Sequence, residues 1–432
     1  MKLAETGSRI LFWRALQKVA NALVVLAIAH GLGPAGNGRF SLTLMLVTVL
    51  AAVLAGGVGL ASVPPLRQGT LPVRRILAAQ VLWVGWVVAA LVGLGVIARA
   101  TDLWPWLHGT LGWDLPMLAA AALATLALLG FEIANYDLLA AGEVVYGTRT
   151  AALRAGVLLA AVAALLVGSR LDLPSAIWAL TIVHVLATLV VVRRVRGVWP
   201  RSPAPAPESP ARPLSRVVAT MVRLGWLGQL SALSYLLLLR LDQLILESYL
   251  DVAAVGIYSL AAWAAELLWL VPEALNPLLV HSSADDQDER RDQTAARAVR
   301  LGLAGTAAAA VPAMLLAEPL IGLLRDGAYL PAVEPLRVLL PGIVAFAPGV
   351  ILAGDFIGRG RSAWNTQASV ITTVVNVALC LMWIPRLGIL GAAWASTAAY
   401  GLGSGIMVWR FRRATGLPWA TILVPRLDDL RR

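Results

Sequence analysis

The sequence predicts an all-α polytopic membrane protein with about twelve transmembrane helices, arranged as two six-helix bundles related by a parallel repeat. Three observations predict it: an apolar composition, a series of uncharged stretches of membrane-spanning length, and a biased distribution of arginine. Of the 432 residues, 59% are hydrophobic and only 14% are charged. Soluble proteins are about 45–50% apolar and about 25% charged. The composition therefore excludes an ordinary soluble enzyme, a disordered chain and a nucleic-acid-binding domain.

Each of the twelve predicted spans is a stretch of about 20 mostly apolar residues, the length needed to cross a bilayer. They cover residues 10–30, 41–63, 76–98, 115–141, 150–168, 173–192, 222–245, 252–274, 301–323, 335–355, 363–384 and 389–409. The only cysteine, Cys380, lies inside an apolar stretch, so the sequence predicts no disulfide and no cysteine-based metal site.

The arginines predict the orientation. With the N-terminus in the cytoplasm, 26 of the 35 Lys and Arg residues fall on the cytoplasmic side, Arg154 among them, and 6 fall on the opposite side. Positive residues favour the cytoplasmic side, so we expect a multi-pass protein of the cell (inner) membrane with both termini cytoplasmic. The net charge of +11 is then explained by anionic membrane lipids and not by nucleic acid.

A proline-rich segment divides the chain. Residues 198–216 include VWPRSPAPAPESPARP and predict a semi-rigid cytoplasmic linker between an N-terminal bundle, 1–197, and a C-terminal bundle with a short cytoplasmic tail, 217–432. Both halves carry a Gly-x-aromatic-Ser-Leu motif where their second span opens, at 38–42 and 256–260. Six spans return the chain to its starting side, so both copies enter the membrane in the same direction.

Charged residues inside a span cost about 2.5–3.5 kcal/mol and are functional candidates. In the first span Arg14, Lys18 and Asn21 follow one another at i, i+4 and i+7, which places them on one helix face. Two cations on one face suit a phosphate or pyrophosphate group. The alternative is that Arg14, which lies only a few residues inside the span, extends to the cytoplasmic surface.

Arg240 and Asp242 lie two positions apart in the seventh span, so they point to different helix faces and cannot form a local pair. We expect one of them to face a cavity; the alternative is a structural ion pair with another helix. Carboxylates inside spans can carry H⁺ or bind Na⁺ in ion-coupled transporters, which makes Glu132 in the fourth span and Glu266 in the eighth candidates for ion coupling. Glu273 shares a face with Glu266, with Asn276 beyond it.

No catalytic signature is evident in the sequence. The four histidines (His30, His108, His184 and His281) are scattered without metal-ligand spacing, and no phosphate-binding loop of the Gly-x4-Gly-Lys-Ser/Thr type occurs. We therefore expect a protein that is not an enzyme and has no metal or cofactor. A second polar loop, 281–300, is expected to extend into the cytoplasm.

Three further segments carry a family resemblance. They are residues 31–41 (GLGPAGNGRFS); Leu239-Arg240-Leu241-Asp242-Gln243 running on to 254–261 (AVGIYSLA); and 358–361 (GRGR) followed by Asn376-Val377 and 384–393 (IPRLGILGAA). Taken in order across the whole chain, they resemble the Wzx-type O-antigen and capsule flippases of the multidrug/oligosaccharidyl-lipid/polysaccharide (MOP) superfamily.

The resemblance implies a V-shaped, alternating-access transporter that moves an undecaprenyl-pyrophosphate-linked oligosaccharide from the inner to the outer leaflet, for surface polysaccharides such as lipopolysaccharide O-antigen or exopolysaccharide. Arg14, Lys18, Asn21 and Arg240 would bind the cargo. The coupling ion would be H⁺ or Na⁺, with Asp242, Glu266 or Glu132 as its candidate site. Membrane lipids and a polysaccharide polymerase machinery would be its partners. The superfamily's lipid II flippases typically have two extra spans, which makes a peptidoglycan precursor a less expected cargo.

Two alternatives stay open. A drug or cation antiporter of the same superfamily would need an acidic cavity, and the cations of the first and seventh spans argue against it. A membrane-embedded glycan polymerase or ligase would need a large external loop, whereas the longest one predicted, about 99–114, is short and apolar. The sign of the cavity's charge and the size of that loop distinguish the three hypotheses.

Overall fold

The computed structural model describes residues 2–199, 213–275, 288–426 and 429, which form fourteen α-helices with no strand among them. The helices are α1 (Lys2–Ala55), α2 (Val58–Gln68), α3 (Val73–Ala100), α4 (Leu103–Leu111), α5 (Leu115–Ala140), α6 (Val144–Val167), α7 (Leu173–Val198), α8 (Leu214–Tyr249), α9 (Val252–Glu266), α10 (Asp288–Gly322), α11 (Val333–Gly358), α12 (Ala363–Leu387), α13 (Ile389–Thr415) and α14 (Trp419–Leu423). A 3₁₀ turn, Leu267–Trp269, extends α9 so that the helical segment reaches Leu275.

Helix α1 contains the first two predicted spans. Its regular geometry breaks at Gly33, whose φ of 70° and ψ of −177° are accessible to glycine and strained for other residues, and Pro34 starts the next arm. Asn21 and Thr48 line one cavity, although a straight helix would separate them by about 40 Å. The chain therefore folds back at Gly33, giving a first arm, 2–32, and a second arm, 34–55.

The second arm ends earlier than the predicted span, 41–63. Gly56 and Gly57 take φ values of 55° and 71°, which stops the helix at Ala55, and α2 begins at Val58. Adjacent left-handed residues are incompatible with a continuous right-handed helix. The break brings the backbone of Gly57 against that of Gly225 on α8, so close that a Cβ on either glycine would overlap the other's carbonyl group.

Ten described helical segments are long and apolar enough to cross a membrane, with α1 counted once. Helix α13 is not among them because its many Gly, Ser and Thr residues lower its hydropathy. With both arms of α1 and with α13, the twelve predicted spans are all present as helices, and the predicted fold class is confirmed. The prediction of a polar loop over residues 281–300 is wrong from residue 288 onward, because helix α10 begins there.

The remaining part of that loop, the centre of the predicted linker (200–212) and Asn276 lie outside the described residues. The boundaries of the two halves therefore stay a prediction.

Within the N-terminal bundle, α1 packs against α5 and α6, and α5 packs against α7. Within the C-terminal bundle, α11 packs against α10 and α13, and α12 packs against α8 and α13. Helix α9 packs most extensively against α1, so it joins the two bundles. The hydrophobic core at this junction is continuous from one bundle into the other.

The two repeat motifs meet at this junction. A Cβ on Gly38 would overlap the carbonyl oxygen of Val252, and a Cβ on Gly256 would overlap that of Pro34. The Asn37 amide donates a 2.8 Å hydrogen bond to the Gly256 carbonyl. Small residues allow such close backbone approach between membrane helices. Farther along the second arm of α1, the bundles touch again, where the Gln229 amide donates to the Ala52 carbonyl at 2.5 Å.

Candidate substrate-binding cavity

The first arm of α1 has two contrasting faces. Arg14, Lys18 and Asn21 share one face, together with Gln17, and all four line a cavity between the bundles. The opposite face presents large apolar side chains that are 38–61% exposed, as expected for contact with lipid tails: Phe12, Leu16, Val19, Leu23 and Leu26. The spacing of the polar residues in the sequence therefore predicted their common direction correctly.

The cavity has two adjoining compartments, which we call outer and inner. The outer compartment has a volume of about 270 Å³ and lies between the first arm of α1 and the segment Val252–Leu275, with Trp263, Glu266, Leu267 and Glu273 opposite the α1 residues. The Lys18 ammonium forms a 2.7 Å ion pair with the Glu273 carboxylate, and both side chains are about 30% exposed. Glu273 is thus a cavity residue, accessible from the cavity itself.

The inner compartment has a volume of about 210 Å³ and shares Asn21 and Trp263 with the outer one. Its polar lining adds Arg154 and His184 from the N-terminal bundle and Arg240 and Gln243 from the C-terminal bundle. Residues of both bundles thus face one space. Along the second arm of α1, this space lies between two contacts that join the bundles, the one from Ser41 to Ser259 and the one from Ala52 to Gln229.

Arg240 is held by a two-pronged ion pair. Its Nη1 and Nη2 atoms donate to the two carboxylate oxygens of Glu266 at 2.7 and 2.9 Å, and its guanidinium lies 4.4 Å from the centre of the Trp263 ring. Both partners are only 12–13% exposed. Such paired hydrogen bonds fix the orientation of a guanidinium more firmly than a single contact does. Arg240 is therefore the cavity-facing member of the predicted Arg240/Asp242 pair.

Arg154 is the cavity residue that sequence reasoning missed. We predicted it on the cytoplasmic side because the fifth span was expected to begin at residue 150. Helix α6 begins at Val144, which places Arg154 about 15 Å inside the helix, 4.5 Å over the ring of Phe131. The sequence did contain a signal for this position, because Arg154 is followed directly by an uncharged stretch, 155–169. We assigned Arg154 to the end of the span when counting arginines, instead of to its interior.

Two polar groups of the inner compartment have no hydrogen-bond partner among the described residues. They are the Nη1 atom of Arg154 and both amide atoms of Gln243, whose side chain is 1% exposed overall. Buried polar groups in proteins are nearly always hydrogen-bonded, so an unpaired set lining a cavity is typical of a site that binds a polar ligand or water.

The charge of the cavity is predominantly positive. Arg14, Lys18, Arg154 and Arg240 face two carboxylates, Glu266 and Glu273. Within the described residues, neither Arg14 nor Arg154 has a carboxylate within 4 Å, whereas Lys18 and Arg240 are paired. The cavity can therefore attract an anion to Arg14 and Arg154. An anion that also displaced Glu273 or Glu266 would gain one further cation for each carboxylate displaced, Lys18 or Arg240.

Asp242 points away from the cavity into the C-terminal bundle, and its side chain is 2% exposed. Its carboxylate accepts hydrogen bonds from the Tyr258 hydroxyl, from the Ser396 hydroxyl at 3.2 Å and from the Gln243 backbone at 2.8 Å. The Asn376 amide in turn contacts the Ser396 hydroxyl at 3.4 Å. The different faces predicted for Arg240 and Asp242 are confirmed, and Asp242 lies behind the cavity wall that its neighbours Arg240 and Gln243 line.

Glu132 is not brought to this cavity. It lies on α5, half-buried, and interacts electrostatically with Arg154. Farther along α5, Asp137 is 2% exposed and accepts hydrogen bonds from Ser62 at 3.0 Å and Gln80 at 2.9 Å. The described residues contain no group of three or more His, Cys, Asp or Glu side chains placed to hold a metal ion.

Comparison with solved structures identifies the architecture. The chain aligns with the lipid II flippase MurJ in an inward closed conformation at a TM-score of 0.75, with 12% identity, over 99% of this chain and 91% of that one. It aligns with an inward-facing multidrug-resistance MATE family transporter of the MOP superfamily at a TM-score of 0.70, with 16% identity, over 93% and 94%. The fold is that of the MOP superfamily. The resemblance seen in the sequence is thus confirmed for the architecture.

Similarity at the sequence level is narrower. A Haloferax volcanii protein described as "Probable flippase AglR" is 27% identical over 208 residues, which are 46% of this chain and 43% of that protein. The match therefore spans less than half of either sequence. No family model matches the chain. The MOP fold contains flippases and drug transporters alike, so the cargo has to be argued from the cavity.

Proposed function

We propose that the protein is a flippase that moves an oligosaccharide linked to undecaprenyl pyrophosphate from the cytoplasmic to the outer leaflet by alternating access, for the synthesis of a surface polysaccharide. The observation that carries this proposal is the cationic cavity between the two bundles. A pyrophosphate diester carries two negative charges, and guanidinium and ammonium groups are the side chains that bind it best.

The arrangement supports a sequence of contacts. The half-exposed Arg14 and Lys18 would meet the pyrophosphate first, and the more deeply placed Arg154 and Arg240 would receive it afterward. Sugar hydroxyls would hydrogen-bond to Asn21 and to the unpaired amide of Gln243. The lipid tail would remain in the bilayer, beside the apolar face of the first arm of α1.

The ion pairs of the cavity give the cycle its reversibility. A pyrophosphate that replaces Glu273 on Lys18, or Glu266 on Arg240, exchanges one anion for another. The net binding free energy is then only the difference between the new ion pair and the one it replaces. Release on the opposite side requires the carboxylates to return. Glu266 therefore acts in this proposal as the resident counter-ion of Arg240.

Asp242 is the residue we propose for ion coupling, with H⁺ or Na⁺ as the ion. It is buried among hydroxyl groups and shares α8 with Arg240, so binding a cation there would change the charge felt by the cavity that Arg240 lines. Neither Glu132 nor Glu266 combines this burial with a set of neutral oxygen donors.

The test is transport in proteoliposomes that contain a fluorescent undecaprenyl-pyrophosphate oligosaccharide, read out by enzymatic modification of the sugar on one side. We expect Lys18→Ala and Arg240→Ala to lower the initial rate at least tenfold. Arg223→Ala is the matched control, since Arg223 is an exposed arginine of the same helix as Arg240 and does not line the cavity.

The same variants are tested for rescue in a strain without the gene. Loss of surface glycan with accumulation of lipid-linked units, at normal membrane abundance of the variants, is the expected result. An intact surface glycan together with new sensitivity to cationic drugs would contradict the flippase proposal and favour the antiporter. The four cations of the cavity argue against the antiporter because they would repel a cationic drug.

A further inference from the structure

A second cationic site lies away from the cavity, between the ends of α12 and α13. Its lining is made of three arginines, two tryptophans and a glutamine with a neighbouring alanine: Arg361, Arg410, Arg413, Trp364, Trp409, Gln367 and Ala414. We call it the arginine–tryptophan cleft; its volume is about 390 Å³. It is on the side of the membrane that the arginine distribution predicts to be cytoplasmic.

The guanidinium groups of the cleft are oriented by neutral partners. Arg361 lies 4.7 Å from the centre of the Trp364 ring, and Arg413 lies 5.5 Å from that of Trp409. Arg410 donates to the Trp364 carbonyl and to the Gln367 side chain, both at 2.8 Å. Stacking on indole rings orients these cations without neutralising them.

A neighbouring arginine outside the cleft is neutralised by carboxylates, whereas those of the cleft are not. Arg359, only two residues before Arg361, is paired with Asp355 at 2.6 Å and with Asp292 at 2.7 Å. Among the described residues, the cleft contains no acidic side chain, and none of its three arginines lies within 4 Å of a carboxylate. Arginines that serve only to set topology have no need to converge on a cleft. Three converging, unneutralised guanidinium groups fit a phosphate anion.

The surface beside the cleft fits a lipid tail. On α12, Ile371 and Val374 follow Trp364 and Gln367 at helical spacing and are 44% and 63% exposed. On α13, Leu402 lies seven residues before Trp409 on the same face and is 40% exposed, and Gly405 between them has open space where a side chain would be. Thus an apolar lipid-facing surface runs from the cleft toward the centre of the membrane.

We propose that the arginine–tryptophan cleft binds the phosphate of an anionic phospholipid of the predicted cytoplasmic leaflet, with the acyl chains along α12 and α13 beside Gly405. Tryptophan is enriched where the headgroups meet the hydrocarbon, and basic pockets between helices on this side bind anionic headgroups. The site would tie the C-terminal bundle to the anionic surface, independently of the cargo carried by the cavity.

The test measures binding of phosphatidylglycerol and of phosphatidylcholine to the purified full-length protein in detergent by native mass spectrometry. We expect Arg361→Gln/Arg413→Gln to weaken phosphatidylglycerol binding at least about tenfold and to leave phosphatidylcholine binding unchanged. Arg216→Gln/Arg223→Gln is the matched control: it removes two exposed arginines from α8, on the same predicted side, and should change binding less than twofold.

A second variant, Gly405→Trp, tests the tail surface without altering charge and should also weaken phosphatidylglycerol binding. Equal losses in the cleft variant and the α8 control would overturn the proposal, because they would reflect overall charge. Inorganic phosphate that competes equally well, with no effect of Gly405→Trp, would show a free-anion site and also overturn it. Transport of the lipid-linked oligosaccharide is measured separately, so failure here leaves the flippase proposal untouched.

Discussion

The hydroxyl oxygens of Ser41 and Ser259 lie 3.0 Å apart, although the residues are separated by 218 positions in the chain. Each is the fourth residue of a Gly-x-aromatic-Ser-Leu motif, one in each bundle. A parallel repeat can place equivalent positions of its two copies against each other about a pseudo-twofold axis. The motif thus marks the place where the bundles touch, and the two glycines that precede these serines make the contact possible.

Replacing Gly256 with alanine should damage this contact. The added Cβ would overlap the carbonyl oxygen of Pro34, and a backbone atom cannot move aside by changing a rotamer. We expect a loss of about 2 kcal/mol or more in stability, measured by thermal unfolding in detergent. Gly401→Ala is the control, because open space surrounds Gly401 and alanine favours a helix by up to about 1 kcal/mol. Equal effects of both substitutions would show that the contact is not tight.

Reversing the Arg240–Glu266 ion pair separates its structural role from its proposed transport role. Arg240→Glu leaves two carboxylates facing each other in a nearly buried site and should cost about 3 kcal/mol of stability. The double variant Arg240→Glu/Glu266→Arg restores the pair, so we expect most of the stability to return. Transport should stay at least tenfold reduced, because the guanidinium is then on α9. Full recovery of transport in the double variant would show that the pair is only structural.

Asp242→Asn should uncouple transport from an ion gradient. Asparagine keeps the size of the side chain and can still bond to Tyr258 and Ser396, so we expect a folded protein with an unchanged melting temperature within a few degrees. Initial transport rates measured with imposed H⁺ or Na⁺ gradients should no longer respond to the gradient. Glu132→Gln is the comparison, since Glu132 lies outside the cavity and should keep the response. A gradient response that survives in Asp242→Asn would contradict the assignment.

The ion pair between Asp429 and Arg300 should lose its stabilising effect in acid. Asp429 receives hydrogen bonds from Arg300 at 2.7 and 2.5 Å, and these bonds lower the pKa of its carboxyl to about 2. The ordinary pKa of an aspartate is about 3.9. Because the folded state has the lower pKa, the stabilisation is fully present above about pH 4 and is lost as the pH falls toward 2.

The measurement is the melting temperature of the wild type and of Asp429→Asn between pH 7 and pH 2. We expect the difference between them to be largest above pH 4 and to disappear near pH 2. Glu318→Gln is the control, because its pair with Arg337 is 3.3 Å long and exposed and should contribute at most about 1 kcal/mol. A constant difference at every pH would show that Asp429 acts through packing and not through its charge.

Much of the architecture was predictable because hydropathy and charge act locally along the chain. A helix must satisfy its backbone groups within itself when it crosses a bilayer, so each uncharged stretch near 20 residues indicates one span. The same local logic placed Arg14, Lys18 and Asn21 on one face and set Arg240 and Asp242 on different faces. It failed at Arg154 and at residues 288–300, where helices extend beyond their apolar stretches and hydropathy no longer marks the helix end.

The sequence by itself determined that the chain is a two-bundle membrane protein with cations on its first and seventh spans. Only the tertiary structure decided which charges meet: Glu273 with Lys18, Glu266 with Arg240, and Arg154 in the same space. It also decided that Asp242 is buried behind the cavity and that Glu132 lies apart from it. The physical reason is that a residue's helix face follows from its spacing, whereas its partner depends on how distant helices pack, which local spacing does not encode.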